Sequence, residues 1–360
     1  MLPTRPLRAV HTAVCNWFRA SFDFMRVARV VLLMAPTLAC FLSTGDSSSL
    51  KAGFLGVLLL SAAEKTQPSL FLLLLHAGAI LGSVALFSLA YPYAWLFVPL
   101  CAAYGAAAGW LGRWGPAWQS LGNYGFLAAL YLGCELNAGG GIMLAGYLHL
   151  LSWSGLALVP TALVLVWKLS AGEAGAAAAL RVFCRRHNML PARASDTERA
   201  RTASDAAVVR CAAVLLAAAL VRYLHLPAGE WLIWSAASVV TGSMPSVRRK
   251  AGDRAVGVLW GAGAGMTLCW VALQAAPAML HTGHALPAVC TLVTAISLGC
   301  CQRYRLAFGL RSMMCVVLAA TSGYGVGVAV LRSANVLVGG MIGAALTLLY
   351  EQRGARIPGL

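Results

Sequence analysis

Residues Glu230–Gly261 read EWLIWSAASVVTGSMPSVRRKAGDRAVGVLWG. An apolar segment carrying Trp231 and Trp234 meets a break at Met244-Pro245 and a basic cluster of Arg248, Arg249, Lys250 and Arg254. A second apolar segment, stepped by Gly257 and Gly261, follows. This order predicts a short transmembrane hairpin. The proline ends the first helix, and the tight loop faces the cytoplasm, the side on which lysine and arginine are retained. A fainter copy, KAGFLGVLLLSAAEKTQPSLFLLLLHAGAILG, runs from Lys51 to Gly82, with Pro68 in the place of Pro245 and Gly78 and Gly82 in the place of the glycine step.

Working outward, 60% of the 360 residues are hydrophobic and only 11% are charged. The mean hydropathy is +0.77. Such a chain exposes too much apolar surface for water and is expected to span a membrane several times. The 27 basic residues against 11 acidic ones fit cytoplasmic loops of a membrane protein, and no basic stripe on a soluble fold points to nucleic acid. Cys40, Cys101, Cys211, Cys269, Cys290 and Cys315 sit inside apolar runs, where cysteine packs as a small hydrophobe. Cys300 and Cys301 are adjacent, so no redox pair and no metal ligand set is expected.

Residues 1–27 place Leu7, Val10, Val14, Trp17 and Phe18 on one helical face beside Arg5, Arg8 and Arg19, which predicts an interfacial amphipathic helix. Six apolar runs follow, near 28–43, 50–63, 69–90, 93–111, 120–135 and 144–167, forming a first transmembrane unit over 28–168. Residues 169–206 read as a basic cytoplasmic linker whose alanine-rich start continues the sixth span. A second unit, 207–350, holds six more runs near 207–224, 231–244, 255–276, 285–300, 307–321 and 329–350, before a tail at 351–360. The expected fold is all-α and polytopic, with about 12 transmembrane helices in two tandem six-helix repeats. An even number of spans per unit makes the repeats parallel, with both termini cytoplasmic. The glycine steps are expected to bring helix backbones together, Gly339, Gly340 and Gly343 among them.

No catalytic constellation and no cofactor motif stands in the sequence, so an enzyme is not expected. What the sequence does hold is ionisable groups within apolar runs, which the bilayer tolerates only where they face protein, water or headgroups. Arg311 and Arg332 lie near span ends. They either snorkel to the headgroups or face a shared cavity, where guanidiniums suit a carboxylate. His76 and His149 lie in apolar surroundings and are candidates for proton coupling, against the plainer reading of neutral core residues. Lys51 and Glu230 occupy equivalent positions at the outer mouths of the second and eighth spans, where they pair, gate or mark the interface. Trp231 and Trp234 are belt anchors or, if they line a cavity, stacking faces for a flat substrate.

The pattern Trp231, Thr241, Pro245, Arg248, Arg249, Arg254, Gly257 and Gly261, closed by a last helix that Arg332 opens, resembles the fusaric-acid-resistance family. That group is similar to the aromatic acid exporters and the plant aluminium-activated malate transporters. The resemblance covers most of the second half, and more loosely the first. Asn335 stands where an acid is common in the family. The resemblance implies a bacterial inner-membrane exporter of organic anions, a homodimer, and a periplasmic adaptor protein as partner. The leading expectation is therefore a proton-driven secondary transporter of aromatic or other carboxylate-bearing molecules. A passive anion channel, an importer of a carboxylate-rich ligand such as a siderophore, and a non-transporting assembly component are the alternatives.

Overall fold

Asp23 starts the first long helix of the computed structural model by accepting the backbone N–H of Arg26 at 3.1 Å. Gly45 ends it in the left-handed conformation (φ 73°), returning its N–H to Phe41. The structure describes residue 17 and residues 20–65, 68–138, 143–172, 175–185, 197–241, 244–275, 283–321 and 325–355. Among them are thirteen α-helices: α1 Phe24–Thr44, α2 Ser47–Lys65, α3 Leu70–Ala90, α4 Ala94–Trp110, α5 Pro116–Ala138, α6 Met143–Ser170, α7 Ala176–Cys184, α8 Thr197–Tyr223, α9 Glu230–Val239, α10 Met244–Ala275, α11 Ala285–Gly299, α12 Tyr304–Thr321 and α13 Gly325–Ala355. The fold is all-α. Seven of the helices described are long and apolar enough to cross a bilayer; α11 is a shorter apolar helix. Large apolar side chains such as Leu74, Trp95, Leu163, Leu259 and Trp270 point outward, as lipid contact requires.

Two clusters define the ends of the bundle. The Glu64 carboxylate, 6% exposed, pairs with Arg29, with Arg26 at 3.1 Å and with Lys168 at 3.8 Å. This gathers the start of α1 and the ends of α2 and α6. The end of α11 joins them, because Asp23 N–H donates to the Cys300 carbonyl at 3.1 Å. At the opposite end Asp46 accepts from His149 at 2.6 Å and from Trp153 at 2.7 Å. Between the ends α3 packs on α5, α2 on α6, α10 on α12 and α9 on α13, while α4 leans on α8 and α11 on α1.

Several expectations change. The basic cluster is not a loop. α9 already ends at Val239, and α10 begins at Met244, so Pro245 opens a helix instead of closing one, and Arg248, Arg249, Lys250 and Arg254 are helical. The reason is that proline lacks the N–H a first turn leaves unpaired anyway and arrives with a helical φ. The alanine-rich stretch does not extend α6. The chain turns through Gly175 (φ 121°) into the separate helix α7, which buries Ala179 and Phe183. The last part of the expected linker, from Thr197, already belongs to α8, and α1 starts at Phe24 instead of residue 28. Most of the expected amphipathic N-terminal helix lies outside the described residues.

The glycine steps divide. A Cβ on Gly261 would meet the Gly309 carbonyl of α12, and one on Gly339 the Leu232 carbonyl of α9, so both backbones approach too closely for any side chain. Gly78, Gly82 and Gly263 face open space instead. On α3 the contact with α5 runs through other residues, such as Phe87 against Gly133, and the Gly78/Gly82 face is left unused.

Candidate functional site: a cation-lined cavity

α5 presents one continuous face to a cavity of about 700 Å³: Pro116, Ser120, Asn123, Leu127, Tyr131 and Glu135 recur every three or four residues along it. At 1.5 Å per residue that face spans roughly 29 Å, close to the thickness of a bilayer's hydrocarbon core. Lys51 near the start of α2 pairs with Glu135 near the end of α5 at 3.0 Å, so these helices run antiparallel and the pair marks one mouth. Pro116 and Lys250 mark the other. The remaining walls come from α8 to α13, so the cavity lies between the two halves of the chain.

Its charge is one-sided. Lys51, Arg210, Lys250, Arg254, Arg311 and Arg332 line it, against the single carboxylate of Glu135. Arg254, 5% exposed, donates to the Tyr304 hydroxyl at 2.6 Å and to the Ser235 carbonyl and hydroxyl at 3.3 and 3.2 Å. Arg210, 9% exposed, donates to the Asn123 side-chain carbonyl at 3.0 Å and to the Val240 carbonyl at 3.2 Å, while its Nε has no partner. Among the described residues Arg311 donates along its own helix, to the Ala307 carbonyl at 3.1 Å, and lies over the Phe308 ring. Arg332 lies 3.2 Å from the ring centre of Trp231, whose indole packs on Tyr131 at 4.6 Å. The buried Tyr131 hydroxyl has no hydrogen-bond partner and lies within electrostatic reach of Arg332 and Arg254. Neutral acceptors thus hold Arg210, Arg254 and Arg311 in place without cancelling their charge. An anion entering here meets donors already oriented, beside aromatic faces that accept a flat ring.

The structure brings Arg311, Arg332, Arg254, Trp231, Trp234 and Lys51 to this one cavity. Glu230 is not on its wall; it lines a smaller hollow of about 250 Å³ with Arg222 and Tyr91, and lies within electrostatic reach of Arg332. Lys51 therefore pairs with Glu135 and not with Glu230, because the helix that crosses α2 at this level is α5. Pro245 is exposed at the start of α10 and off the cavity wall.

The two histidines separate. His76, 2% exposed, bonds through Nδ1 to the Leu72 carbonyl at 2.9 Å and through Nε2 to the Ser120 hydroxyl at 3.0 Å. A carbonyl only accepts, so Nδ1 carries the proton, and Nε2 of the neutral ring accepts from Ser120, which lines the cavity. His149 is not in apolar surroundings. Its side chain is 53% exposed, drawn to Asp46 at the bundle end because a carboxylate is within reach there. Burial pushes the Asp46 carboxyl up, but the backbone and side-chain hydrogen bonds from Ser48, His149 and Trp153 outweigh it and hold the group below its ordinary value. A carboxylate lowered on folding contributes stability above its unfolded pKa and loses it as pH falls through the folded one. Asp46→Asn is therefore expected to flatten the fall in melting temperature between about pH 5 and pH 3; an unchanged profile would show that the contact carries no stability.

Sequence reasoning missed Arg210, Asn123, Ser120, Tyr131 and Glu135. The signal was present as polar residues at helical spacing along α5, with Arg210 set among apolar neighbours in VVRCAAVLL.

Residues 197–346 match the family described as fusaric acid resistance protein-like. This segment of the chain is similar to that family. It supplies Arg210, Trp231, Trp234, Arg254, Arg311 and Arg332, whereas Lys51, His76, Ser120 and Glu135 come from outside the matched segment. No curated protein and no solved structure matches the chain. The apolar helices together with this match indicate a multi-pass membrane protein.

Proposed function

We propose that the protein is a secondary transporter that moves carboxylate-bearing, preferentially aromatic, small molecules outward across a bacterial inner membrane, with proton movement coupled through His76. The observation that carries this reading is the cavity between the halves, with six cations, one carboxylate and aromatic walls. In this reading the chain makes twelve membrane passages in two parallel repeats, and the helix pairings support that arrangement. α1 to α6 and α8 to α13 share pairings, α2 on α6 as α9 on α13 and α3 on α5 as α10 on α12. The exchange of α4 onto α8 and α11 onto α1 is what a two-fold axis along the membrane normal requires. The end that carries Arg26, Arg29, Lys168, Arg248, Arg249 and Arg303 is then cytoplasmic.

Efflux of labelled benzoate and 4-hydroxybenzoate from proteoliposomes, with and without a pH gradient, tests the reading. Protein-dependent, saturable movement is expected; vesicles that retain the label as protein-free ones do remove it. The end-to-end reach of the α5 face favours one second reading, a passive anion channel. Steady anion currents in planar bilayers without counter-transport would select it.

A further inference from the structure

A second hollow, of about 780 Å³, opens at the end of the bundle that holds the starts of α10 and α12. Arg249, Lys250, Arg303 and Arg305 line it against one carboxylate, Asp253. That carboxylate is already engaged, accepting from Arg305 at 3.1 and 2.9 Å. Arg303 lies over the Trp17 ring at 5.9 Å, so this hollow too combines guanidinium and aromatic surface. Lys250 and Tyr304 line both hollows. The two hollows thus share one residue of α10 and one of α12, and Arg254, one turn beyond Lys250 and on the central cavity's wall, donates to the Tyr304 hydroxyl.

We propose that this hollow is a capture site for organic anions, which it concentrates and passes to the central cavity when an incoming carboxylate replaces the Tyr304 hydroxyl on Arg254. The proposal rests on the transport reading above and adds where the anion is first held. A cleft lined by one sign of charge raises the local concentration of counter-charged ligand and its rate of arrival, and added salt screens the effect. Arg249 and Arg303 lie outside the central cavity, so their charge matters for arrival from this end alone.

The test uses Arg249→Gln/Arg303→Gln in proteoliposomes of fixed orientation, with labelled benzoate offered from either side at about 10 and 300 mM salt. The expected result is an initial rate about 3- to 10-fold lower from the α10/α12 end at low salt, a difference that shrinks at high salt. The rate from the opposite side stays unchanged. Tyr304→Phe is expected to act in the other sense, speeding exchange between the sides. Benzoate binding with no side-dependent effect of the double variant overturns the capture site and leaves the transport reading standing. No benzoate binding at all removes the transport reading first. An effect that appears only when the membrane contains anionic lipid also overturns the proposal, since the hollow is then a headgroup site.

Discussion

Arg311→Gln lowers benzoate affinity by about 10- to 100-fold while leaving the melting temperature close to that of the parent chain. The argument is local. Among the described residues the hydrogen bond that ties the Arg311 guanidinium to protein returns to its own helix, at the Ala307 carbonyl, so removing it detaches no neighbouring described helix. A hydrogen bond to a charged partner contributes about 1.5–3 kcal/mol, which is the affinity range just given. Arg254→Gln makes the contrast: it loses bonds to Ser235 of α9 and Tyr304 of α12, and is expected to lower both affinity and melting temperature. Calorimetric titration with parallel thermal melts reads both. An Arg311→Gln protein that binds benzoate as well as the parent would remove this guanidinium from the anion site.

The second large effect is on pH. With His76 neutral, the Ser120 hydrogen is spent on Nε2. Protonation makes Nε2 a donor to Ser120, whose own hydrogen is then released towards the cavity it lines. A bound anion gains a donor and a nearby positive charge, so anion and proton load together. Benzoate affinity is expected to rise about 3- to 10-fold as pH falls from 8 towards 5, a range in which most benzoate stays ionised. His76→Gln flattens the curve, and Ser120→Ala reduces its amplitude without abolishing it. Proton and anion that load together cross in the same direction, so the anion's own gradient and the membrane voltage drive export; a flat or opposite slope would remove His76 from the coupling.

Charge in an apolar run is the signal sequence reads best. Arg311 and Arg332 were legible because a bilayer excludes them unless they face something polar, and both line the cavity, whereas Arg254, read as part of a loop, was not. Which acid meets Lys51 was not legible. Symmetry between the halves points to Glu230, but the crossing of α2 and α5 decides for Glu135, and crossing angles are set by packing and not by hydropathy. The difference between the two histidines was hidden for a related reason. Apolar flanks are shared by His76 and His149, yet one turns onto Ser120 inside the bundle and the other onto Asp46 at its end. The basic cluster was misread as a loop because loops and first helical turns both tolerate Met244-Pro245.

The lopsided lining has a consequence for voltage. Between the mouths marked by Lys51, Glu135 and Lys250, the four arginines of the unliganded cavity lining carry a formal charge of +4 inside the field of an energised membrane. Each unit charge that crosses the full field shifts its energy by about 2.3 kcal/mol per 100 mV. A negative interior therefore pulls the empty form towards the cytoplasm, and an occupant that cancels part of the charge relaxes that pull. The resting voltage would act as the spring that resets the carrier after each delivery, with occupancy as its release.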